Sequence, residues 1–565
     1  ANALNSIAGL VQIGNSHIAQ LKIIDEPRYA FRGLHLDVAR NFHSKEMMLR
    51  LLDQMAAYKL NKLHLHLADD EGWRLEIPGL PELTEIGSKR CHDLDENTCL
   101  LPQLGSGPNS DSDVNGFYST RDYLEILAAA SARHIQVIPS LDMPGHSRAA
   151  TKSMEARYRK FIAAEDTESA LQYLLSDPED TSVYSSVQFY SDNTLNVCMD
   201  STYTFIEKVI DELQALHTTA KHPLTRYHIG ADETAGAWVE SPICQAFIAK
   251  HEALSSSADL SPYFVQRVAA MLDNKGIETA GWADGMGHVD PAKMPDFVQS
   301  NAWTPLPWGG HNQAHAQANL GWEVIISTPD ATYYDSPYQA DPKERGFYWA
   351  TRSVSSRKMF DFMPDNLPVH AEFWPDRDGN AFISDDRPQH DDQGLIKHEP
   401  MRKGIGFAGL QGQLWSETVR SDDQAEYMLY PRLLALAERA WHKPKWAVDY
   451  DHAGALYSTD SQHFNEEKRR LRDADWNRFA NLLGQRELAK LDLAGIYYRL
   501  PTVGARLKGG QLQAASVFPG LKIEYRLAQG EWQAYDGTTA ADDSAEVRSL
   551  APNGIRRGRS LTVTD

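Results

Sequence analysis

Asp232 and Glu233 stand side by side in the run YHIGADETAGAW. Adjacent carboxyls repel, so one tends to keep its proton near neutral pH. Two carboxyls with separated pKa values can divide the work between a proton donor and a charge stabiliser. Successive strand residues face opposite ways. Both acids can therefore serve one site only where strand geometry ends, and the small residues of the preceding IGA stretch permit that. The plain alternative is a pair of acids at a helix N-terminus, where they are favourable. His64 and His66 alternate with Leu63, Leu65 and Leu67 and read as residues of a packed strand rather than metal ligands. No glycine-rich phosphate loop and no zinc-type spacing is present.

The elements that must position such residues alternate. Strand-like runs occur at 32–40, 62–70, 134–146, 226–233, 277–285, 297–303, 322–330 and 406–417. Helical stretches such as KEMMLRLLDQMAAY, DYLEILAAASARH, TYTFIEKVIDELQALH and SPYFVQRVAAMLDNKG lie between several of them. Eight β and α units predict a closed (β/α)8 TIM barrel over 28–490. Each run ends in polar or aromatic residues: Arg40, Asp69–Asp70, Asp142 to His146, Asp232–Glu233, Trp282 to Asp284, Trp303, Asp330 to Asp335 and Trp415 to Glu417. A barrel gathers all these ends on one face, where active sites lie. The long insertions 85–120 and 335–404 are expected to wall or cover that face. VQIGNSHIAQLKIID resembles a hairpin, so 1–27 reads as a remnant of a preceding α+β domain. Short strands separated by turn signals predict a small immunoglobulin-like β-sandwich over 495–565.

Composition narrows the class. The chain has 565 residues, 42% hydrophobic and 24% charged, with 56 Lys+Arg against 77 Asp+Glu and a net charge of −21. That excess of acid argues against nucleic acid or an anionic membrane surface as the main partner. No apolar run is long enough for a membrane helix. Thirteen Trp and 23 Tyr offer flat faces of the kind sugar rings stack on, although core filling is their ordinary use. Cys91 and Cys99 flank a polar loop, where a local disulfide suits an oxidising compartment; four free thiols in a cytosolic protein is the alternative. No signal peptide is visible.

DEPRYAFRGLHLDVAR, HLHLADDEGWR, DMPGH, H-x-G-x-D-E with Trp238 beyond it, GWADG and GQLWSE together resemble glycoside hydrolase family 20, the β-N-acetylhexosaminidases, from about Asp25 to Lys443. The Cys91–Cys99 spacing, the Cys198/Cys244 pair and the β-rich tail look most like its bacterial chitobiase branch. The resemblance implies a substrate-assisted mechanism in which the 2-acetamido group of the sugar supplies the nucleophile. It implies Glu233 as the acid, Asp232 as the carboxylate that orients the acetamide N–H, and Tyr333 as donor to the acetamide oxygen. The Tyr333–Tyr334 doublet leaves open which tyrosine serves. Arg40 would grip vicinal hydroxyls of the terminal sugar, or else be a structural arginine paired with carboxylates. Glu417 would accept from O4 and O6, or else be a solvated loop acid. Trp282, Trp303 and Trp415 would wall the acetamide and ring face, and Trp349 would stack the next sugar; core packing is the alternative for each. Asp69 and His146 would form a carboxylate–histidine–acid chain tuning Glu233, or simply cap strand ends.

The expected activity is exo removal of terminal β-linked GlcNAc from chitobiose and short chito-oligosaccharides, with retention. GalNAc-terminated glycans and a non-catalytic sugar-binding barrel are the alternatives. No cofactor and no metal is implied. A periplasmic or cell-surface location is expected, and the chain is read as a truncated or processed form with an intact barrel. Weaker action on insoluble chitin than on soluble dimers would follow from that.

Overall fold

A computed structural model describes residues 22–564, apart from Ala235, Gln529, Thr538, Asp542 and Asp543. The hairpin expected over 11–25 and most of the segment 1–27 lie outside the described residues. Eight parallel strands close into a barrel: β1 (Phe31–Asp37), β2 (Lys62–Asp69), β3 (Gln136–Met143), β4 (Arg226–Gly230), β5 (Glu278–Trp282), β6 (Val298–Ala302), β7 (Glu323–Ile326) and β8 (Gly409–Leu414). Closure is made by β1, which pairs in parallel with β8 through Leu34 opposite Gly412 and with β2 through Leu34 opposite Leu63. Seven of the eight lie within a run read from the sequence, and β1 begins one residue ahead of its run.

The outer ring includes α1 (Lys45–Ala57), α2 (Thr120–Ala132), α3 (Arg148–Ala163), α4 (Asp200–Thr219), α5 (Leu260–Asn274), α6 (Gly310–Asn319) and α7 (Arg432–Trp441). In α1, Met47, Met48, Leu51, Leu52 and Met55 fall on one stripe at helical spacing and pack inward. Its N-terminus is fixed by Ser44, whose side chain accepts from the Met47 amide. Helix α2 begins with a full capping box between Ser119 and Asp122.

The barrel interior is polar. His35, His64 and His228 pack together, edge-on and tilted, with ring centres 4.6 and 4.2 Å apart, and Trp282 and Trp415 close over them. Burial keeps these histidines neutral, lowering His35 and His64 well below their ordinary range and His228 to about 3. His64 is thus a packed barrel residue, as its alternation with leucine predicts, whereas His66 joins the carboxylate network at the strand ends.

The two insertions are built structures rather than open loops. Residues 85–120 carry the Cys91–Cys99 disulfide, and Glu96 in its loop pairs with Arg148 at 2.8 Å. Cys198–Cys244 joins the start of α4 to the helix Pro242–Lys250. Residues 335–404 contain helical turns at Ser356–Phe360 and Pro368–Glu372 and short strand pairs. A helical segment, Glu466–Leu482 continued to Leu493, lies between barrel and tail and was not anticipated. Its charged sequence has only Trp476 and Ala480 fully buried in the long first part, so its apolar stripe is thin. The C-terminal part is a pair of small antiparallel sheets of three and four strands around Val503, Leu512, Ala541, Ala545, Val547 and Val563.

Candidate active site

The carboxyl ends of the barrel strands enclose a cavity of about 1030 Å³. Arg40, His146, Asp232, Glu233, Trp282, Trp303, Tyr333, Trp349, Trp415 and Glu417 all line it. Residues expected from seven of the eight strand ends are thereby brought together; at the end of β2 it is Glu71, not the expected Asp69, that reaches the cavity.

Strand β4 stops at Gly230, and the backbone then turns left-handed: φ is +72° at Gly230, +74° at Ala231 and +52° at Glu233. This breaks the alternation of a strand and lets Asp232 and Glu233 share one cavity. The turn is packed as well as strained. A Cβ on Gly230 would sit 2.4 Å from Asp142 Oδ1, and one on Gly285 1.7 Å from the Ala231 carbonyl oxygen.

His146 Nε2 lies 3.1 Å from Glu233 Oε2. Its Nδ1 lies 3.1 Å from Asp70 Oδ2 and 3.3 Å from Asp69 Oδ1. A nitrogen between two carboxylates must carry the proton. Burial disfavours a charged His146, but Asp69, Asp70 and Glu233 outweigh it and hold the ring's pKa well above the ordinary range. Asp69 is itself held well below the carboxylate range, against burial, by Arg40, His146 and His66. The expected Asp69–His146–Glu233 chain is assembled, with Asp70 as an additional and nearer partner.

Arg40 is paired with carboxylates, as the structural reading has it, and also lines the cavity. Its guanidinium lies 2.8 Å from Asp69, 3.6 Å from Asp37 and 3.3 Å from Glu71, stacks at 4.9 Å on Trp415, and still faces the cavity. One guanidinium and one imidazolium cannot neutralise Asp37, Asp69, Asp70, Glu71, Glu233 and Glu417 together. Glu71 yields: burial, reinforced by Asp69, Asp70 and Glu417, outweighs Arg40 and pushes it up to about 8. Glu417 is also raised by burial, against Arg40. It is carried on the turn after β8, where Asp37 accepts from the Ser416 amide at 3.0 Å and Asn41 donates to the Ser416 carbonyl at 2.6 Å.

Asp232 keeps some surface open to the cavity but is closely enclosed. Burial, with Asp142, Asp284 and Glu233 adding to it, holds its pKa well above the carboxylate range despite His146. Its Oδ1 has no hydrogen-bond partner. Trp303 donates to the neighbouring Asp284 at 2.8 Å. Trp282 and Trp415 stand 5.5 Å apart, and Trp349 lies 5.9 Å from each of Trp303, Trp308 and Tyr333.

The tyrosine doublet is divided by strand parity. Tyr333 bridges to Gln413 alongside β8 and points into the cavity. Tyr334 points the other way, fully buried under Arg432, whose guanidinium lies 5.1 Å from its ring.

The glycosyl hydrolase family 20 catalytic domain matches residues 29–444, nearly three quarters of the sequence. The chain belongs to that family. The chitobiase/beta-hexosaminidase C-terminal domain matches residues 487–560. A beta-hexosaminidase of Vibrio vulnificus is 49% identical over 99% of this chain and 66% of its own length. An N,N'-diacetylchitobiase of Vibrio harveyi is 45% identical over 99% of this chain and 66% of its own. The crystal structure of a GH20 exo β-N-acetylglucosaminidase from Vibrio harveyi in complex with N-acetylglucosamine superposes with a TM-score of 0.60 at 31% identity, covering 84% of this chain and 60% of that one. The chain thus spans about two thirds of the length of these curated relatives.

Several lining residues of this family 20 barrel carry no role in the sequence reading. Glu71 sits beside the named end Asp69–Asp70 and Asp335 closes the named end 330–335 without a role of its own, and charge counting around Arg40 is the signal that could have found Glu71. Gln103 and Leu104, Val187 to Phe189, Trp308, Phe347, Tyr348, Arg352, Arg377 and Asp378 come from the two insertions and from other connecting segments, whose course periodicity does not predict.

Proposed function

We propose that the chain is an exo-acting, retaining β-N-acetylhexosaminidase that releases terminal β-linked GlcNAc from chitobiose and short chito-oligosaccharides. The observation that carries this reading is the placement of Asp232, with its free Oδ1, beside Glu233 and Tyr333 in a box of tryptophans. The acetamide N–H of a bound sugar donates to Asp232 and the Tyr333 hydroxyl donates to the acetamide oxygen. That oxygen attacks C1 while Glu233 protonates the departing glycosidic oxygen, so the C1–O bond breaks and a cyclic oxazolinium ion forms. The positive charge and the N–H donor both favour ionised Asp232, offsetting the burial that raises its pKa in the free site. Water then attacks C1, Glu233 takes its proton, and the product leaves with the β configuration restored. Arg40 and Glu417 hold the outer hydroxyls of the terminal sugar. The Vibrio harveyi relatives, named for diacetylchitobiose and for N-acetylglucosamine, support the substrate class. The two disulfides support a periplasmic or cell-surface site of action.

The test compares nitrophenyl β-N-acetylglucosaminide with nitrophenyl β-glucoside. Wild type should turn over only the acetamido sugar, and Glu233→Gln should lose that activity by about 10²–10⁴-fold. Equal turnover of both sugars would mean that the protein supplies the nucleophile and would overturn the mechanism.

A further inference from the structure

Outside the cavity, α6 and the insertion between β7 and β8 meet at a buried cluster of imidazoles. Asp386, fully enclosed, accepts through Oδ1 from His315 Nδ1 and His398 Nε2, each at 2.9 Å, and through Oδ2 from the Tyr450 hydroxyl. His311 sits one turn before His315 on α6, with its ring centre 5.8 Å from that of His398. One nitrogen from each of His311 and His398 and one carboxylate oxygen of Asp386 lie within 4.8 Å of one another.

Hydrogen bonding alone does not account for His311. It is 3% exposed, yet neither ring nitrogen closes a hydrogen bond; the Asp385 backbone approaches the ring without completing one. His315 Nε2 is buried and unpartnered as well. Burying polar nitrogens without partners costs stability that an apolar side chain of similar size would not. His315 and Tyr450 fix the orientation of the Asp386 carboxylate as outer partners of a metal ligand do.

The geometry points to a divalent transition-metal site formed by His311, Asp386 and His398, a donor set of two imidazoles and a carboxylate that suits zinc. Bonds of about 2.0–2.2 Å to zinc set neighbouring donors a little over 3 Å apart, so the donors must draw closer than the 4.8 Å within which they now lie. The site is separate from the catalytic cavity, since none of its residues lines it. It would pin the segment Ser384–His398 to α6. Arg377 and Asp378, at the cavity's edge, lie just before that segment. Ligands at 311, 386 and 398 form no sequence motif, which is why spacing alone shows no zinc site.

The test uses the full chain, purified without a histidine tag, stripped with EDTA and desalted, with zinc chloride and cobalt chloride as probes. Wild type should retain about one zinc per chain through gel filtration, show visible cobalt absorption bands, and gain at least about 2 °C in Tm with zinc, reversed by EDTA. His311→Gln removes no hydrogen bond, so its metal-free Tm should stay near wild type. Its zinc affinity should fall by about 100-fold or more, given that even outer partners are worth 10–100-fold. Zinc retained equally by wild type and His311→Gln would overturn the proposal. If that variant fails to fold, wild type decides alone: neither zinc retention nor cobalt bands would reject the site.

Discussion

At the scale of single residues, the division of Tyr333 from Tyr334 makes the sharpest claim. Tyr333 faces Asp232 across the cavity, and Tyr334 faces the core, with a buried hydroxyl that has no hydrogen-bond partner. On the proposed mechanism, removing the Tyr333 hydroxyl takes away a donor aimed at charge developing on the acetamide oxygen. Tyr333→Phe should therefore lower kcat by about 10²–10³-fold with the Tm little changed. Tyr334→Phe removes an unsatisfied buried group, so kcat should hold and the Tm should stay level or rise. Steady-state kinetics and thermal melts on the two variants check both halves, and a larger kcat loss in Tyr334→Phe would reverse the assignment. The sequence placed this doublet at a strand end but could not choose within it, because the choice depends on the register of 333–334 along β8. The same limit hid Asp70: His146 reads as the partner of Asp69 in sequence, and only the geometry puts Asp70 closer. Glu71 was hidden differently. Its role follows from counting charges around Arg40, which requires knowing that Asp37, Asp69 and Glu417 converge there.

At the scale of elements, the end of β4 does what a regular strand cannot. Gly230 adopts φ +72° with Asp142 packed where a Cβ would stand, and the turn it opens brings two adjacent acids to one side. Gly230→Ala should destabilise the protein by about 1–3 kcal/mol, from left-handed strain together with overpacking. It should also reduce kcat, because Asp232 and Glu233 move with the turn. Denaturant unfolding and turnover of the acetamido substrate measure the two effects; an unchanged kcat would mean that the turn does not set the acids' positions. The IGA stretch made this turn legible before the structure, as did the eight apolar runs, each ending in reactive residue types. Parallel barrel strands are buried on both faces and so read as nearly continuous apolar segments. The segment 466–493 escaped notice because its helix is mostly charged and buries only a thin stripe. The built character of 335–404 escaped because short turns and two-residue strands carry no period to detect.

For the whole molecule, the question is whether the tail is an appendage or part of the same folding unit. The sandwich keeps a small core of its own, but Phe518, Leu521 and Ala551 belong to the main hydrophobic cluster that runs through the barrel and its helices. Phe518 is 3% exposed, and its backbone lies against Gly484 so closely that a Cβ there would meet the Pro519 carbonyl oxygen at 2.2 Å. Polar fastenings add to this. Arg559 pairs with Asp341 of the insertion at 2.6 Å, and the Asn553 amide donates to Asp492 at 2.9 Å. The Arg559–Asp341 pair is partly exposed and worth at most about 1 kcal/mol, so the apolar contact carries the connection. Calorimetry of the wild type should accordingly show one unfolding transition for barrel and sandwich together. Phe518→Ala should cost about 3–5 kcal/mol and lower the temperature of that single transition, whereas Arg559→Ala should barely move it. Two separate transitions in the wild type, with Phe518→Ala shifting only the smaller, would mean that the sandwich folds independently. The insertion that meets Arg559 also carries Trp349 and Arg352 at the cavity wall. A single transition would therefore tie the stability of the tail to the geometry of the cavity.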